Sequence, residues 1–463
     1  MKPWARVLPA LVLVVLAGPL AAQEKPAGPD GHELLAQGQA QEARYELDAA
    51  IAAYTGAAEK LSRAEKGEAL GRLAIAQELR GMAAFVATAD AALAADAQGC
   101  FPLAAAARAR ARDRRADESL QLAERAVQAC KSPAALAALG VAQGAKGELG
   151  AAEAAYREAL ALAPGDLAAR IGLARVLRRT GRAAEAEPML AEITQAAPGA
   201  VAVYKEAARA KLALGRPDDA VADAAIAAAM SEGDAEAASL VTEVAVARAL
   251  VQVKAGQADL AVVELGALRD KEPESASVRY GLGHAMVARR DVDGGLAELR
   301  KAVELDPQLS EAQFELGQAL YALKGDPAGA IAPLELAVAA EPANPRYRAL
   351  LGGALAGAQR FDRAVEELSK VVAAPEPPPE AWLYLGVAQL GASRFKEGAE
   401  ALEKAAALLP QSAEAQAYLA WCYFGLKDAP GFKKAGAAAR KLGYKDPQLL
   451  DRLKRVEAGE AIK

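Results

Sequence analysis

The strongest constraint on this chain is a recurrence about 34 residues long, most complete from Pro133 to Asp166. Leu136, Leu139, Gly140 and Gln143 fall three to four apart, on one face of a first helix that Gly147 ends. Ala152, Tyr156 and Ala159 make the matching stripe of a second helix, which cannot run through Pro164. The two stripes must face each other: Gly140, Ala152 and Ala159 permit close approach, and Tyr156 fills the space beside them. The landmarks return downstream. Ala152, Ala186 and Ala220 are two steps of 34 apart, and the pair Leu139-Gly140 reappears as Leu282-Gly283, Leu316-Gly317, Leu351-Gly352 and Leu385-Gly386.

This pattern resembles the tetratricopeptide repeat, whose signature reads W-x2-L-G-x2-Y, then A-x3-F, then P. Leu136 stands at the first aromatic place and Gln143 at the second. About eight convincing units fall between Pro133 and Pro410, so the resemblance covers roughly two-thirds of the chain. It implies an all-α fold, a right-handed superhelical α-solenoid of antiparallel helix pairs. Such an array buries its core between neighbouring repeats and reads as one elongated domain.

The remaining segments are placed around that array. Residues 1–22 carry Lys2 and Arg6, the apolar run VLPALVLVVLAGPL and a small-residue end. This is the pattern of a secretory signal peptide cut after Ala22, with Leu20 at the minus-three place; the alternative is an uncleaved anchor. Its apolar core is short for a membrane span, and no later stretch reaches spanning length. The expected location is therefore periplasmic or secreted. Residues 23–31 form a flexible lead. Residues 32–131 read as degenerate helical repeats with blurred landmarks, 132–410 as the main array, and 411–463 as an imperfect last repeat with a capping helix over DPQLLDRLKRV. Between Ser231 and Glu243 about seven extra residues interrupt the register, as a longer loop or a lengthened helix.

Cys100 and Cys130 sit at the start of one helix and the end of its antiparallel partner. An oxidising compartment would join them, and in the chain-entropy model that contributes roughly 3 to 4 kcal/mol. Cys422, in LAWCYFGL, is left as a buried small residue.

Little points to chemistry. The two histidines, His32 and His284, lack partners at metal-ligand spacing, and no phosphate loop, nucleophile elbow or H-E-x-x-H is present. No enzyme, cofactor or metal is expected. The net charge of −5, which becomes −7 without Lys2 and Arg6, argues against nucleic acid as the main partner. The abundant Asp and Glu residues read as solvated helix faces with Lys or Arg one turn away.

What the resemblance does imply is binding. In that family the first helices line a concave surface, and matching positions here are Ile171, Arg175, Arg178 and Arg179, then Lys205 and Arg209, then Tyr280 and His284, then Phe314, Gln318 and Tyr321. This groove would run from cationic to aromatic and suit an acidic-aromatic peptide or helix. Blander readings stand beside each: Arg178 and Arg179 as helix-end cations, Tyr280 and Tyr321 as packing, His284 as filler. Trp421 is a possible anchor near the C-terminal end. Three roles compete: an envelope scaffold for a protein partner (secretion, motility, pilus or polysaccharide export), a chaperone or carrier for unfolded polypeptide or glycan, and a passive spacer.

Overall fold

The computed structural model describes residues 28–231 and 234–462. The expected signal peptide lies outside the described residues, as does most of the lead after it. The described residues form twelve helix pairs and a closing helix. The pairs are α1 (Gly31–Glu42) with α2 (Leu47–Lys60), α3 (Arg63–Arg80) with α4 (Phe85–Ala95), α5 (Cys100–Arg112) with α6 (Ala116–Ala129), and α7 (Pro133–Lys146) with α8 (Leu149–Leu162). Then come α9 (Leu167–Arg179) with α10 (Ala183–Ala196), α11 (Val201–Ala213) with α12 (Pro217–Met230), α13 (Ala235–Lys254) with α14 (Ala258–Lys271), and α15 (Ala276–Ala288) with α16 (Val292–Leu305). The last pairs are α17 (Ser310–Ala322) with α18 (Pro327–Ala340), α19 (Pro345–Gly357) with α20 (Phe361–Val372), α21 (Pro379–Gly391) with α22 (Phe395–Leu408), and α23 (Ala413–Gly425) with α24 (Ala429–Lys441), before α25 (Pro447–Glu457).

Every pair reverses on one residue in the left-handed region: Tyr45, Gly81, Arg114, Gly147, Gly181, Gly215, Gly256, Arg290, Gly325, Gln359, Ser393 and Lys427. A positive φ at this place lets the chain leave the first helix while its amide still satisfies that helix's last carbonyls. Glycine adopts it without strain, which is why Gly147 was legible as a breaker and Arg114 was not. The turns also give the register. Successive turns lie 33 to 36 residues apart, except for 41 between Gly215 and Gly256. The surplus is taken up in α13, which has 20 residues where its neighbours have 13 or 14.

A second landmark precedes each turn by seven residues (eight before Gly325). It is always small: Gly38, Ala74, Ala107, Gly140, Ala174, Ala208, Ala249, Gly283, Gly317, Gly352, Gly386 and Ala420. The reason is contact with the repeat's own second helix. A Cβ on Gly386 would lie 2.3 Å from Leu402 Cγ, and one on Gly140 would lie 2.7 Å from the Tyr156 ring. Gly38 faces Tyr54 in the same way, also sixteen residues on, so the first pair carries the landmark that composition had blurred. Tyr54, Tyr156, Leu299, Leu368 and Leu402 are all sealed from solvent at these contacts.

The chain divides into two compact units. Unit 1 takes the described residues up to Glu206 with Met230, Ser231 and Asp234; unit 2 takes Ala207–Ala229 and the chain from Ala235 onward. In each unit the first helix of a repeat touches the first helix of the next, as α3 with α5, α5 with α7, α13 with α15 and α19 with α21. Second helices make no comparable contacts with one another among the described residues. Each unit is thus an α-solenoid whose first helices crowd on the inner side.

The charged residues are organised by the repeat as much as by the helix, which corrects the expectation of pairs one turn apart. An Asp at the second place of one second helix meets a base one repeat on, at the end of the next first helix for Asp48 with Arg80, Asp117 with Lys146 and Asp259 with Arg289, and in the turn after it for Asp293 with Lys324 and Asp362 with Arg394. Acid at a helix start and base at a helix end both oppose the helix dipole favourably. Cys100, which opens α5, is bonded to Cys130 just past α6, with Cα atoms 5.6 Å apart. Cys422 is buried, and burial pushes its thiol up to about 12. The closing helix α25 is capped by Asp446 and buries Leu449, Leu453 and Val456. No helix among the described residues is long and apolar enough to cross a membrane.

Candidate functional site

The inner face is built from one register column. The residue directly after each small landmark shares this register, and the column holds Arg175 in unit 1 and Arg209, His284, Gln318 and Trp421 in unit 2. The same column holds Gln39, Ile75 and Arg108 in the first three repeats, which the blurred signature had hidden.

In unit 1 the cationic candidates meet acids of their own chain. Arg175 Nε donates to Glu206 Oε1 at 2.8 Å and Arg178 Nε donates to Glu206 Oε2 at 3.3 Å, while the Glu206 side chain is only 1% exposed. Lys205 donates to Asp234 at 2.9 Å, and Arg112 donates to the other oxygen of the same carboxylate at 3.2 Å. Arg179 caps a helix end, that of the preceding repeat: its Nη1 donates to Gly144 O at 2.6 Å. Ile171 is buried in the core. Removing two charges from water is tolerable because each acid satisfies more than one donor.

The same face holds an open pocket of about 580 Å³ between α1, α3, α5, the start of α7 and the α8–α9 turn. At its wall the Tyr45 hydroxyl donates to Gly165 O at 2.8 Å. The Arg72 guanidinium lies over the Phe101 ring, 3.7 Å from its centroid, and donates to Glu68 and Glu42. Arg108 is buried and paired with Glu78. Glu42 also accepts from the Tyr54 hydroxyl. Asp166 caps α9 through Ala169 N at 2.8 Å. Burial holds the carboxyls of Glu42 and Asp166 above the usual range, and Asp166 adds to the rise at Glu42.

In unit 2 the aromatic candidates are brought together in pairs. Tyr280 and His284 have ring centroids 6.4 Å apart, and His284 Nδ1 lies 3.0 Å from Glu315 Oε1. Phe314 stacks on Tyr347 at 4.6 Å, and the Arg346 guanidinium lies over the Phe314 ring, 4.9 Å from its centroid. Tyr321 meets Tyr384 edge-on at 6.4 Å although two repeats separate them. They reach each other because the helix between is bare: a Cβ on Gly353 would lie 3.2 Å from the Tyr384 ring, and one on Gly357 3.3 Å from Tyr321. Burial pushes the phenols of Tyr280 and Tyr384 up to about 12 and raises Tyr321. Gln318 is half-buried between the two pairs, and Arg209 pairs with Glu236 at 2.9 Å. Near the C-terminal end Trp421 lines a separate hollow of about 360 Å³ with Phe424, Phe395 and Leu390. Tyr347, Tyr384 and Gly353 were missed in the sequence; only the register of the small landmark identifies their face.

Family models described as tetratricopeptide repeat match residues 145–205 and, in three overlapping or adjoining stretches, 246–310, 283–345 and 349–413. The chain belongs to the tetratricopeptide repeat family. Its fold is accordingly that of a protein–protein interaction scaffold. Among solved structures, YrrB, described as a tetratricopeptide repeat protein with an unusual peptide-binding site, is 19% identical with a TM-score of 0.35, covering 41% of this chain and 97% of its own. PilW, described as a widely conserved type IV pilus biogenesis factor, is 16% identical with a TM-score of 0.40, covering 46% and 98%. The Cut9–Hcn1 hetero-tetramer of the APC/C is 12% identical with a TM-score of 0.36, covering 92% and 96%. No curated protein matches. Among the described residues no group of three or more His, Cys, Asp or Glu is placed to hold a metal ion.

Proposed function

We propose that this tetratricopeptide repeat protein is a non-enzymatic scaffold of the bacterial cell envelope that holds a segment of a protein partner along the inner face of unit 2. The observation that carries the reading is the series of rings on successive first helices, half-buried at Tyr280 on α15, Tyr321 on α17 and Tyr384 on α21 and backed by the buried stack of Phe314 on α17 and Tyr347 on α19. Rings spaced by a rigid repeat present contact area at little entropic cost, the composition that dominates binding hot spots. The cationic stretch in unit 1 contributes less to an acidic ligand than its sequence suggests, because Glu206 and Asp234 already occupy those cations. Supporting the envelope location are the leader pattern of residues 1–22 and the cysteine pair, which fits an oxidising compartment. Secretion, motility, pilus or polysaccharide-export assemblies are the classes of apparatus such a scaffold would serve.

Photo-crosslinking in the native envelope tests the reading, with the reactive residue placed at Tyr280 or Tyr321. Val263, 70% exposed on a second helix, serves as control. One or two discrete adducts from the ring positions support a dedicated scaffold. A smear of many proteins supports the chaperone alternative, and adducts no different from the control leave a passive spacer.

A further inference from the structure

The last repeat and the closing helix differ from the rest of the chain in the sign of their charge. Residues 427–463 hold ten Lys and Arg against five Asp and Glu, a net of +5, in a chain whose net charge is −5; residues 1–426 therefore carry 45 bases against 55 acids, a net of −10. All five acids of the basic stretch are spent. Asp428 and Asp446 cap the starts of α24 and α25, Glu457 accepts from Arg440, Asp451 pairs with Arg455, and Glu460 pairs with Arg455 and Arg452. The arginines are thereby occupied and the lysines are not: no acid among the described residues pairs with Lys427, Lys433, Lys434, Lys441, Lys445 or Lys454. Every other second helix among the described residues carries at least one acid, whereas α24, APGFKKAGAAARK, has none. Pro430 stands at the place where Asp48, Asp117, Asp259, Asp293 and Asp362 meet their bases. A terminal repeat that served solubility alone would need a polar face and no bias of sign.

Lys434 and Lys441 lie two turns apart on one exposed face of α24, with Lys427 before its start and Lys445 beyond its end, so the row of ammoniums extends over the length of the helix, about 20 Å. Apolar surface adjoins it. Leu426 is 43% exposed, and Lys427 itself lines the hollow formed by Trp421, Phe424, Phe395 and Leu390. Uncompensated lysines next to exposed aromatic and aliphatic side chains suit an anionic membrane surface. An ammonium is a hydrated point charge that asks no fixed geometry of its partner, while a carboxylate or phosphate recognised singly favours the arginine fork, and here the arginines are taken. The acid excess of residues 1–426 is repelled by such a surface, which leaves the basic stretch as the part that approaches it. We propose that α23–α25 dock on an anionic lipid bilayer, with Lys427, Lys434, Lys441 and Lys445 against the headgroups and Leu426 and Trp421 at the interface. This surface shares no residue with the ring series from Tyr280 to Tyr384, so it stands or falls separately from the proposed scaffold role.

The test is co-sedimentation with lipid vesicles of the chain from Gln23 onward, which keeps every described residue and prevents the apolar run of residues 1–22 from entering the bilayer itself. The vesicles are phosphatidylcholine alone or a mixture of phosphatidylcholine and phosphatidylglycerol. Three double variants are compared: Lys434→Gln with Lys441→Gln removes two charges of the row, Lys434→Arg with Lys441→Arg keeps them, and Lys254→Gln with Lys271→Gln removes two exposed charges elsewhere. The expected result is binding to the anionic vesicles about tenfold or more tighter than to the neutral ones, weakened about tenfold by the first variant, with unchanged circular dichroism, and held by the other two. Raising the salt concentration should weaken it as well. The proposal is overturned if the two kinds of vesicle bind alike, if the first variant binds as the wild type does, if the Lys254 and Lys271 variant weakens binding equally, or if soluble polyglutamate binds as tightly as the anionic vesicles, which would make the partner an acidic polypeptide.

Discussion

Tyr54 and Tyr156 occupy the same register place, each sealed against a glycine of its own first helix, yet their hydroxyls have different surroundings. The Tyr54 hydroxyl donates to Glu42, while Tyr156 has no such acceptor. Replacing each by phenylalanine keeps the ring packing and removes only the oxygen. For Tyr54→Phe the lost bond is to a half-buried charged acceptor that keeps Arg72 as a second donor, so the expected cost is about 1.5 kcal/mol, the low end for a charged acceptor. Tyr156→Phe is expected to cost less than about 0.5 kcal/mol, since no paired polar group is orphaned. The assay is native-state hydrogen exchange of the α1–α3 and α7–α9 amides, because opening in a solenoid is local and a global midpoint would average it. The pH dependence adds a second check. Burial raises the folded-state pKa of Glu42, so its contribution is fully present below the unfolded carboxylate range and is lost as pH rises through the folded value. Losing the Tyr54 bond raises Glu42 further, so the difference between variant and wild type should shrink on going from pH 7 towards pH 5. Equal costs for the two substitutions, or a difference that grows on acidification, would refute the reasoning.

Other outcomes follow from the same contacts. Reducing the Cys100–Cys130 bond should lower the stability of unit 1 by roughly 3 to 4 kcal/mol and leave exchange in unit 2 unchanged. Under oxidising, native conditions Cys422 should resist alkylation and become reactive only on unfolding, read by mass spectrometry with and without denaturant. Gly386→Ala should destabilise, by about 1 to 3 kcal/mol of overpacking against Leu402 less about 1 kcal/mol of helix propensity. Gly266→Ala, with nothing within 4 Å of its added Cβ, should instead stabilise by about 0.4 to 1 kcal/mol, so denaturation curves of the two should move in opposite directions. Asp362→Asn removes one exposed inter-repeat pair with Arg394 and should cost under about 1 kcal/mol, an effect that fades in high salt.

The helix pairs were legible because the Leu-Gly landmark and the glycine breakers repeat at a fixed period. Where Arg114, Ser393 or Lys427 takes the left-handed place, the turn has no sequence signal of its own, and only the small residue seven places earlier marks it. In the first and third repeats Tyr45 and Arg114 hold that place, while the second keeps Gly81, and Gly38 and Tyr54 keep the same sixteen-residue relation as Gly140 and Tyr156. The groove was legible as a set of positions and not as a set of free side chains. Arg175, Arg178 and Lys205 read as available cations because their acids, Glu206 and Asp234, lie about one repeat away in sequence.

By itself the sequence determined the secondary structure, the repeat period and the face each helix turns inward, since these depend on residues within one 34-residue unit. Tertiary structure decided which charges are spent, where the inner face closes and which rings meet. Tyr45 reaches Gly165 across 120 residues, and Tyr321 meets Tyr384 over the glycines of an intervening helix. Such contacts depend on how successive repeats rotate against one another, a sum of small packing angles that no single unit encodes.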